Sequence, residues 1–233
     1  METDSIVARR NHFRPRVLLV DGDLGRRATL AVALGERYAV HTAATAADAL
    51  ATAAMTTFHL AVLDATAMGA RLPRLVRVLR NRGGVVPVVV VAAPRDFRAH
   101  HYAAMLGVDA VLARRAPAHA LLDRITDLVP VGDHRVRVDR GVGRAIDLMS
   151  RDVIHILDVA ALAHATGVPL ASLADRFRAD TGLTVDEYVI CVRVVVAEQL
   201  LRDTNLGMET LAELLGFGDV HELARAFAAV SPA

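Results

Sequence analysis

Two folds in series are predicted: an α/β doubly wound five-stranded parallel sheet over residues 16–128, then an all-α domain over residues 140–233. Three observations carry this. Five short apolar runs alternate with helical stretches through the first half, as in a parallel sheet covered on both faces. Acidic residues stand where two of those runs end, at Asp21-Gly22-Asp23 and at Asp64. In the second half an Ala-x-x-x-Gly pattern occurs twice, at Ala163–Gly167 and Ala212–Gly216, with the glycines 49 residues apart.

In chain order, residues 1–15 read as a basic arm. Val17-Leu18-Leu19-Val20 is the first strand and Leu24–Leu34 a helix. Tyr38–Ala43 is the second strand and Ala46–Thr56 the second helix. Leu60-Ala61-Val62-Leu63 leads to Asp64, and Arg71–Asn81 makes a third helix. Pro87–Val91 is the Val-rich central strand, followed by a helix over Asp96–Leu106. A fifth strand covers Ala110–Ala113 and a last helix Pro117–Leu128. Residues 129–139, with Pro130, Gly132 and Asp133, form a linker. A helix over Gly141–Met149 opens the second domain.

That domain holds two helix pairs. Leu162, Leu173 and Phe177 build the first, with Gly167 at its turn and Pro169 in the first turn of its second helix. Leu211, Ala212, Leu214 and Leu215 give one apolar face in the second pair. Gly216 stops that helix, Gly218-Asp219 makes the turn and Leu223, Ala226 and Phe227 face inward, Phe227 as a core anchor. A long helix from Val185 to Arg202 joins the pairs. A small residue four positions before a helix-ending glycine lets two helices cross closely, the signature of a helix-turn-helix.

Residues from about 140 to 232 resemble the AraC-type DNA-binding domain. The resemblance rests on Ala160–Val168, Leu173, Phe177, Thr181-Gly182, Glu187-Tyr188, Arg193, Ala197, Leu200-Leu201, Met208, Leu211-Ala212, Gly216-Phe217, Arg225, Phe227 and Ser231-Pro232. It implies duplex DNA as partner, with Ser172, Arg176, Arg178, Arg193, His221 and Arg225 as contacts. Residues 16–128 resemble, divergently, the receiver domain of two-component response regulators. That likeness implies Asp64 as phosphoacceptor and Asp21, Asp23 and Asp64 as holders of a divalent cation, Mg²⁺ by hardness. Three positions depart from the pattern. Gly22 replaces an acidic ligand, Ala92 a phosphoryl-binding hydroxyl, and Arg114 the lysine, whose compact ammonium a planar guanidinium does not copy. Little phosphorylation is therefore expected, and the aspartates are expected to cap loops.

Composition narrows the function classes. Seventeen arginines stand against eleven acids in residues 1–132, but ten against fifteen in 133–233, and lysine is absent. DNA-binding domains are usually basic, because phosphate neutralisation supplies most non-specific affinity; an acidic one departs from that rule. Arg71, Arg74, Arg77 and Arg80 read as a solvated face. Asp175 takes a position that is commonly basic in the AraC family, and Glu222 at best accepts from a cytosine. Cys191 is the single cysteine, so no disulfide framework exists, and a cytoplasmic location is expected. The longest apolar run, Val85–Pro94, is too short to cross a membrane. No paired His, Cys or carboxylate spacing suggests a metal site elsewhere, and no catalytic constellation suggests an enzyme.

The expected function is a sequence-specific DNA-binding transcriptional regulator, its atypical receiver domain serving dimerisation or signal input, in a homodimer. The alternative is a regulator-derived module that has weakened or lost DNA binding and acts through a protein partner.

Overall fold

A computed structural model of the chain describes residues 14–83, 86–130, 138–154 and 158–230. The first unit runs β1 (Arg16–Val20), α1 (Leu24–Gly35), β2 (Ala39–Ala43), α2 (Ala46–Met55) and β3 (Leu60–Asp64). It continues through α3 (Ala65–Met68), a 3₁₀ turn (Gly69–Arg71), α4 (Leu72–Gly83), β4 (Val88–Ala92), α5 (Phe97–Leu106), β5 (Ala110–Ala113) and α6 (Ala118–Leu128). All strand pairs are parallel, in the order β2-β1-β3-β4-β5. β1, β3 and β4 are apolar on both faces because helices cover both. Strand order reverses between β1 and β3, the switch point of such a sheet, and Asp21 and Asp64 lie there.

The sheet has two dissimilar faces. On one, α2, α4 and α5 enclose a closed apolar cluster around Leu18, Leu63, Leu75 and Val90. On the other, the cluster of Leu30, Leu34, Leu121 and Ile125 continues into the second unit through Ile146, Met149, Phe177, Tyr188 and Val192. That second unit comprises α7 (Arg140–Arg151), α8 (Val159–Thr166), α9 (Leu170–Thr181), α10 (Val185–Asp203), α11 (Met208–Leu214) and α12 (Val220–Val230). α1 packs against both α7 and α10. The two folds thus share one core.

The seam between them is close and polar as well as apolar. A Cβ built on Gly25 of α1 would lie 2.2 Å from the Ser150 carbonyl oxygen of α7. The hydroxyl of Tyr188, itself fully buried, donates to the Thr29 carbonyl at 2.5 Å. Its ring meets Phe177 edge-on, with centroids 5.1 Å apart. Arg37 donates to the Asp180 carbonyl at 2.7 Å, while the Asp180 carboxylate accepts from the Asp139 amide at 2.7 Å.

Burial raises the Asp180 pKa above its ordinary value of 3.8. A carboxyl whose folded-state pKa is raised costs stability when ionised, and that cost disappears as pH falls through the folded pKa. Asp180→Asn keeps an oxygen acceptor for the Asp139 amide. Its melting temperature should equal or exceed that of the wild type at pH 7, the gap closing as pH drops toward 3.8. A variant less stable than the wild type at pH 7 would contradict this.

Several expectations need correction. α3 and the 3₁₀ turn were not anticipated, and α4 begins at Leu72 rather than Arg71, because Asp64 caps a short helix of its own through the Thr66 amide. Pro169 is the N-cap of α9, extended at φ −55° and ψ 139°, rather than a first-turn residue. Phe227 is half-buried; Leu215, Phe217 and Leu223 anchor the second helix pair instead. Residues 1–13 of the basic arm and 131–137 of the linker lie outside the described residues. Arg14, counted in the arm, donates to the Gly35 carbonyl at the end of α1, at 2.8 Å. Asp139, counted in the linker, caps α7 through the Gly141 amide. Among the described residues no helix is long and apolar enough to cross a membrane.

Candidate nucleic-acid interface and acidic pocket

Each helix pair turns on a left-handed glycine, Gly167 at φ +69° and Gly216 at φ +70°. The hydrogen bonding around them is identical in pattern. Gly167 and Val168 donate to His164 and Ala163, and Gly216 and Phe217 to Glu213 and Ala212. An L side chain rarely adopts this backbone conformation, so glycine is what allows a tight closure after both helices. Ala163 and Ala212 are buried at the crossings. Two copies of one turn, joined by the 19-residue α10, make a tandem helix-turn-helix.

α9 and α12 are the second helices of their pairs. On α9, Leu170, Ala171, Asp175, Arg176 and Arg178 are exposed and Ser172 is half-buried. On α12, His221, Glu222 and Arg225 are exposed. Of the side chains expected at DNA, Arg178, His221 and Arg225 stand outward on these two helices, Ser172 is half-buried, and Arg176 and Arg193 are held by partners within the protein. Arg176 pairs with Asp139 at 3.0 Å. Arg193, on α10, lies across the Phe217 ring at 5.9 Å and donates to the Gly216 carbonyl at 3.3 Å. These contacts make Arg193 a brace for the second turn, and burial lowers its pKa.

The acids on α12 have a local cause. Asp219 accepts from the Glu222 amide at 2.7 Å, and Glu222 reaches back to the Gly218 amide at 2.6 Å. Together they satisfy backbone donors that the first turn of α12 leaves open, and their charge suits the helix dipole. Hydrogen bonding holds the Asp219 pKa below its ordinary value.

The second site is the pocket at the switch point. Asp64 is buried at the end of β3, and both of its carboxylate oxygens accept from one guanidinium nitrogen of Arg114 at 2.7 Å. Asp21, buried after β1, lies 3.3 Å from Arg26 Nε and accepts from the Asp23 amide at 2.9 Å. Burial raises its pKa, against the opposing effects of that amide and of Arg26. Asp23 is exposed and caps α1 through the Arg26 amide at 2.8 Å. The three aspartates are thus engaged as caps and ion pairs.

Mg²⁺ does not fit these residues. It demands near-octahedral oxygen ligation, and Gly22 contributes no side-chain oxygen, although a Cβ there would meet nothing nearer than 3.8 Å. Arginines occupy the carboxylates of Asp21 and Asp64. Among the described residues no group of three or more His, Cys, Asp or Glu side chains could hold a metal ion. Ala92 offers only its backbone carbonyl, which accepts from the Arg114 amide at 2.8 Å. Treatment with a small phosphodonor and Mg²⁺ is therefore expected to leave Asp64 unmodified. Stoichiometric labelling that disappears in Asp64→Asn would contradict this.

Sequence reasoning missed Arg26, Arg27 and Gly25. A signal was present: two adjacent cations in the first turn of a helix oppose its dipole and need a carboxylate partner. Arg27 is buried, and its guanidinium donates to the Asp21 carbonyl at 2.5 Å. The arginine row of α4 is also partly structural, since Arg80 donates to the Leu106 and Gly107 carbonyls and so caps the end of α5.

Comparison with known proteins agrees with the geometry of the second unit. Residues 162–231 match a family model described as a helix-turn-helix domain. A "Putative AraC-like transcription regulator" of Streptomyces antibioticus is 33% identical over 89 residues, 38% of this chain and 29% of the relative. One from Streptomyces lividans, described in the same words, matches with the same identity and coverage. Residues 162–231 thus form a helix-turn-helix domain similar to part of these AraC-like regulators. The chain spans 29% of the length of these curated relatives. Among solved structures, a CheY-like receiver domain protein from Methanospirillum hungatei is 23% identical with a TM-score of 0.44, covering 49% of this chain and 93% of that one. A signal receiver domain from Bermanella marisrubri is 27% identical with a TM-score of 0.43, covering 50% and 99%.

Proposed function

We propose that the protein is a transcriptional regulator that binds specific duplex DNA through α9 and α12. The observation that supports this reading most is the repeated turn, with Gly167 and Gly216 in the same conformation and an outward-facing second helix after each. Such helices enter successive major grooves, about one helical turn of DNA apart. Ser172, Arg176, Arg178, His221 and Arg225 supply the outward contacts. The arginines suit phosphates, which position the protein, whereas Ser172 and His221 can reach base edges. Arg193 acts by holding the Gly216 turn. Few cations face outward, so a homodimer that presents two tandem units would raise avidity without new contacts. The receiver-like unit serves as scaffold and pairing surface, without a phosphorylation cycle.

The test is selection of bound fragments from sheared genomic DNA with the tagged full-length chain, followed by footprinting. Protection of two patches about 10 base pairs apart supports the reading. Recovery no different from a control lacking the protein would direct attention to a protein partner, for which Asp175 and Glu209 provide exposed acids.

A further inference from the structure

The acidic pocket and the helix-turn-helix unit meet on one helix. α1 begins at the pocket, where Arg26 pairs with Asp21 at 3.3 Å and donates to the Arg114 carbonyl at 2.9 Å. Arg114 in turn holds Asp64. The chain Asp21–Arg26–Arg114–Asp64 therefore closes the switch point with the protein's own cations. In the same turn and the next, this helix also makes the seam. Gly25 lies against the Ser150 carbonyl of α7, and the Thr29 carbonyl takes the Tyr188 hydroxyl of α10. Beside Arg26, Arg27 is buried and donates to the Asp21 carbonyl.

We infer that Arg26 and Arg114 are positioning residues that stand in for a bound cation, and that through α1 they fix how the helix-turn-helix unit is held. A metal ion can leave and a phosphoryl group can be removed, but a guanidinium attached to the backbone does neither. The pocket is a permanent latch rather than a switch. The latch leaves the outward faces of α9 and α12 uncovered, so it orients the DNA-binding unit without masking it. This inference concerns the free protein and does not depend on the DNA reading.

Amide hydrogen exchange on the full chain tests it, with Arg26→Ala and Arg114→Ala compared to Arg80→Ala. Arg80 is a fitting control, since its loss also removes hydrogen bonds to backbone carbonyls, but on the other face of the sheet. Arg26→Ala and Arg114→Ala should speed exchange about tenfold or more in 140–151 and 185–203, while 46–55 and 72–83 stay unchanged. Arg80→Ala should speed 97–106 and leave 185–203 unchanged. Acceleration confined to 21–36 and 110–116 would overturn the inference, as would equal acceleration on both faces of the sheet. Should Arg26→Ala not fold, Arg26→Lys keeps a charge at Asp21 while losing the bond to the Arg114 carbonyl. Faster exchange in 140–151 and 185–203 would then support the latch, and no change there would overturn it.

Discussion

Gly25→Ala is expected to lower the melting temperature sharply, whereas Gly35→Ala on the same helix leaves it unchanged or raises it. Both positions lie in α1. A methyl at Gly25 would sit 2.2 Å from the Ser150 carbonyl oxygen and 3.0 Å from Val153 Cγ1, whereas at Gly35 it would meet nothing within 4 Å. Backbone cannot rotate away as a side chain can, so α1 and α7 must separate. Overpacking of this kind costs about 3 kcal/mol. In a chain of this length that corresponds to a fall on the order of 10 °C. At Gly35 only the helix preference for Ala over Gly acts, worth up to about 1 kcal/mol in favour of the variant. Differential scanning calorimetry distinguishes the two outcomes. Equal shifts at both sites would mean that α1 does not approach α7 this closely.

Tyr188→Ala should be comparably severe and Tyr188→Phe mild. The side chain is fully buried between the two units, with its ring against Phe177 and its hydroxyl on the Thr29 carbonyl. Removing a buried aromatic ring costs about 3–5 kcal/mol through lost transfer energy and the cavity left behind. Removing the hydroxyl alone costs about 1 kcal/mol, the net value of one hydrogen bond. The distribution of the effect is as informative as its size. Because one apolar cluster spans both units, the destabilised protein should still melt in a single transition. A first transition confined to the helical unit, with the sheet melting later as in the wild type, would refute the shared core.

The sheet was legible because its signals are local. Five apolar runs punctuated by helices place β1 to β5 within a residue or two, and Asp21 and Asp64 fall at strand ends as anticipated; that those ends flank the switch point follows only from the strand order. The helix pairs were legible for a similar reason, since Gly167 and Gly216 each fix a left-handed turn that only a few residue types adopt readily. The seam was not legible. Gly25 reads as an ordinary helical glycine, and Tyr188 as an ordinary core residue of the AraC-type pattern, until the neighbouring unit is placed beside them. Charge partners are equally non-local. Arg114 was read as a lost lysine, and only the fold shows its guanidinium closing over Asp64. The acidity of the second unit looked like evidence against DNA, yet Asp219 and Glu222 cap α12. Phe227 was overrated because a periodic pattern reports which face a residue occupies, not how deeply its neighbours bury it.

The central claim is that α9 and α12 meet duplex DNA, and its salt dependence tests this most directly. Fluorescence titration of a selected duplex would compare wild type, Arg225→Ala and Asp175→Arg across a series of salt concentrations. Both substituted positions, Asp175 on α9 and Arg225 on α12, are exposed. Each phosphate contact releases counterions, so the slope of log K against log salt should lose about one unit in Arg225→Ala. Asp175→Arg should bind more tightly, with little change in sequence preference, because phosphate contacts position rather than specify. Absence of duplex binding by all three proteins at low salt would contradict the account.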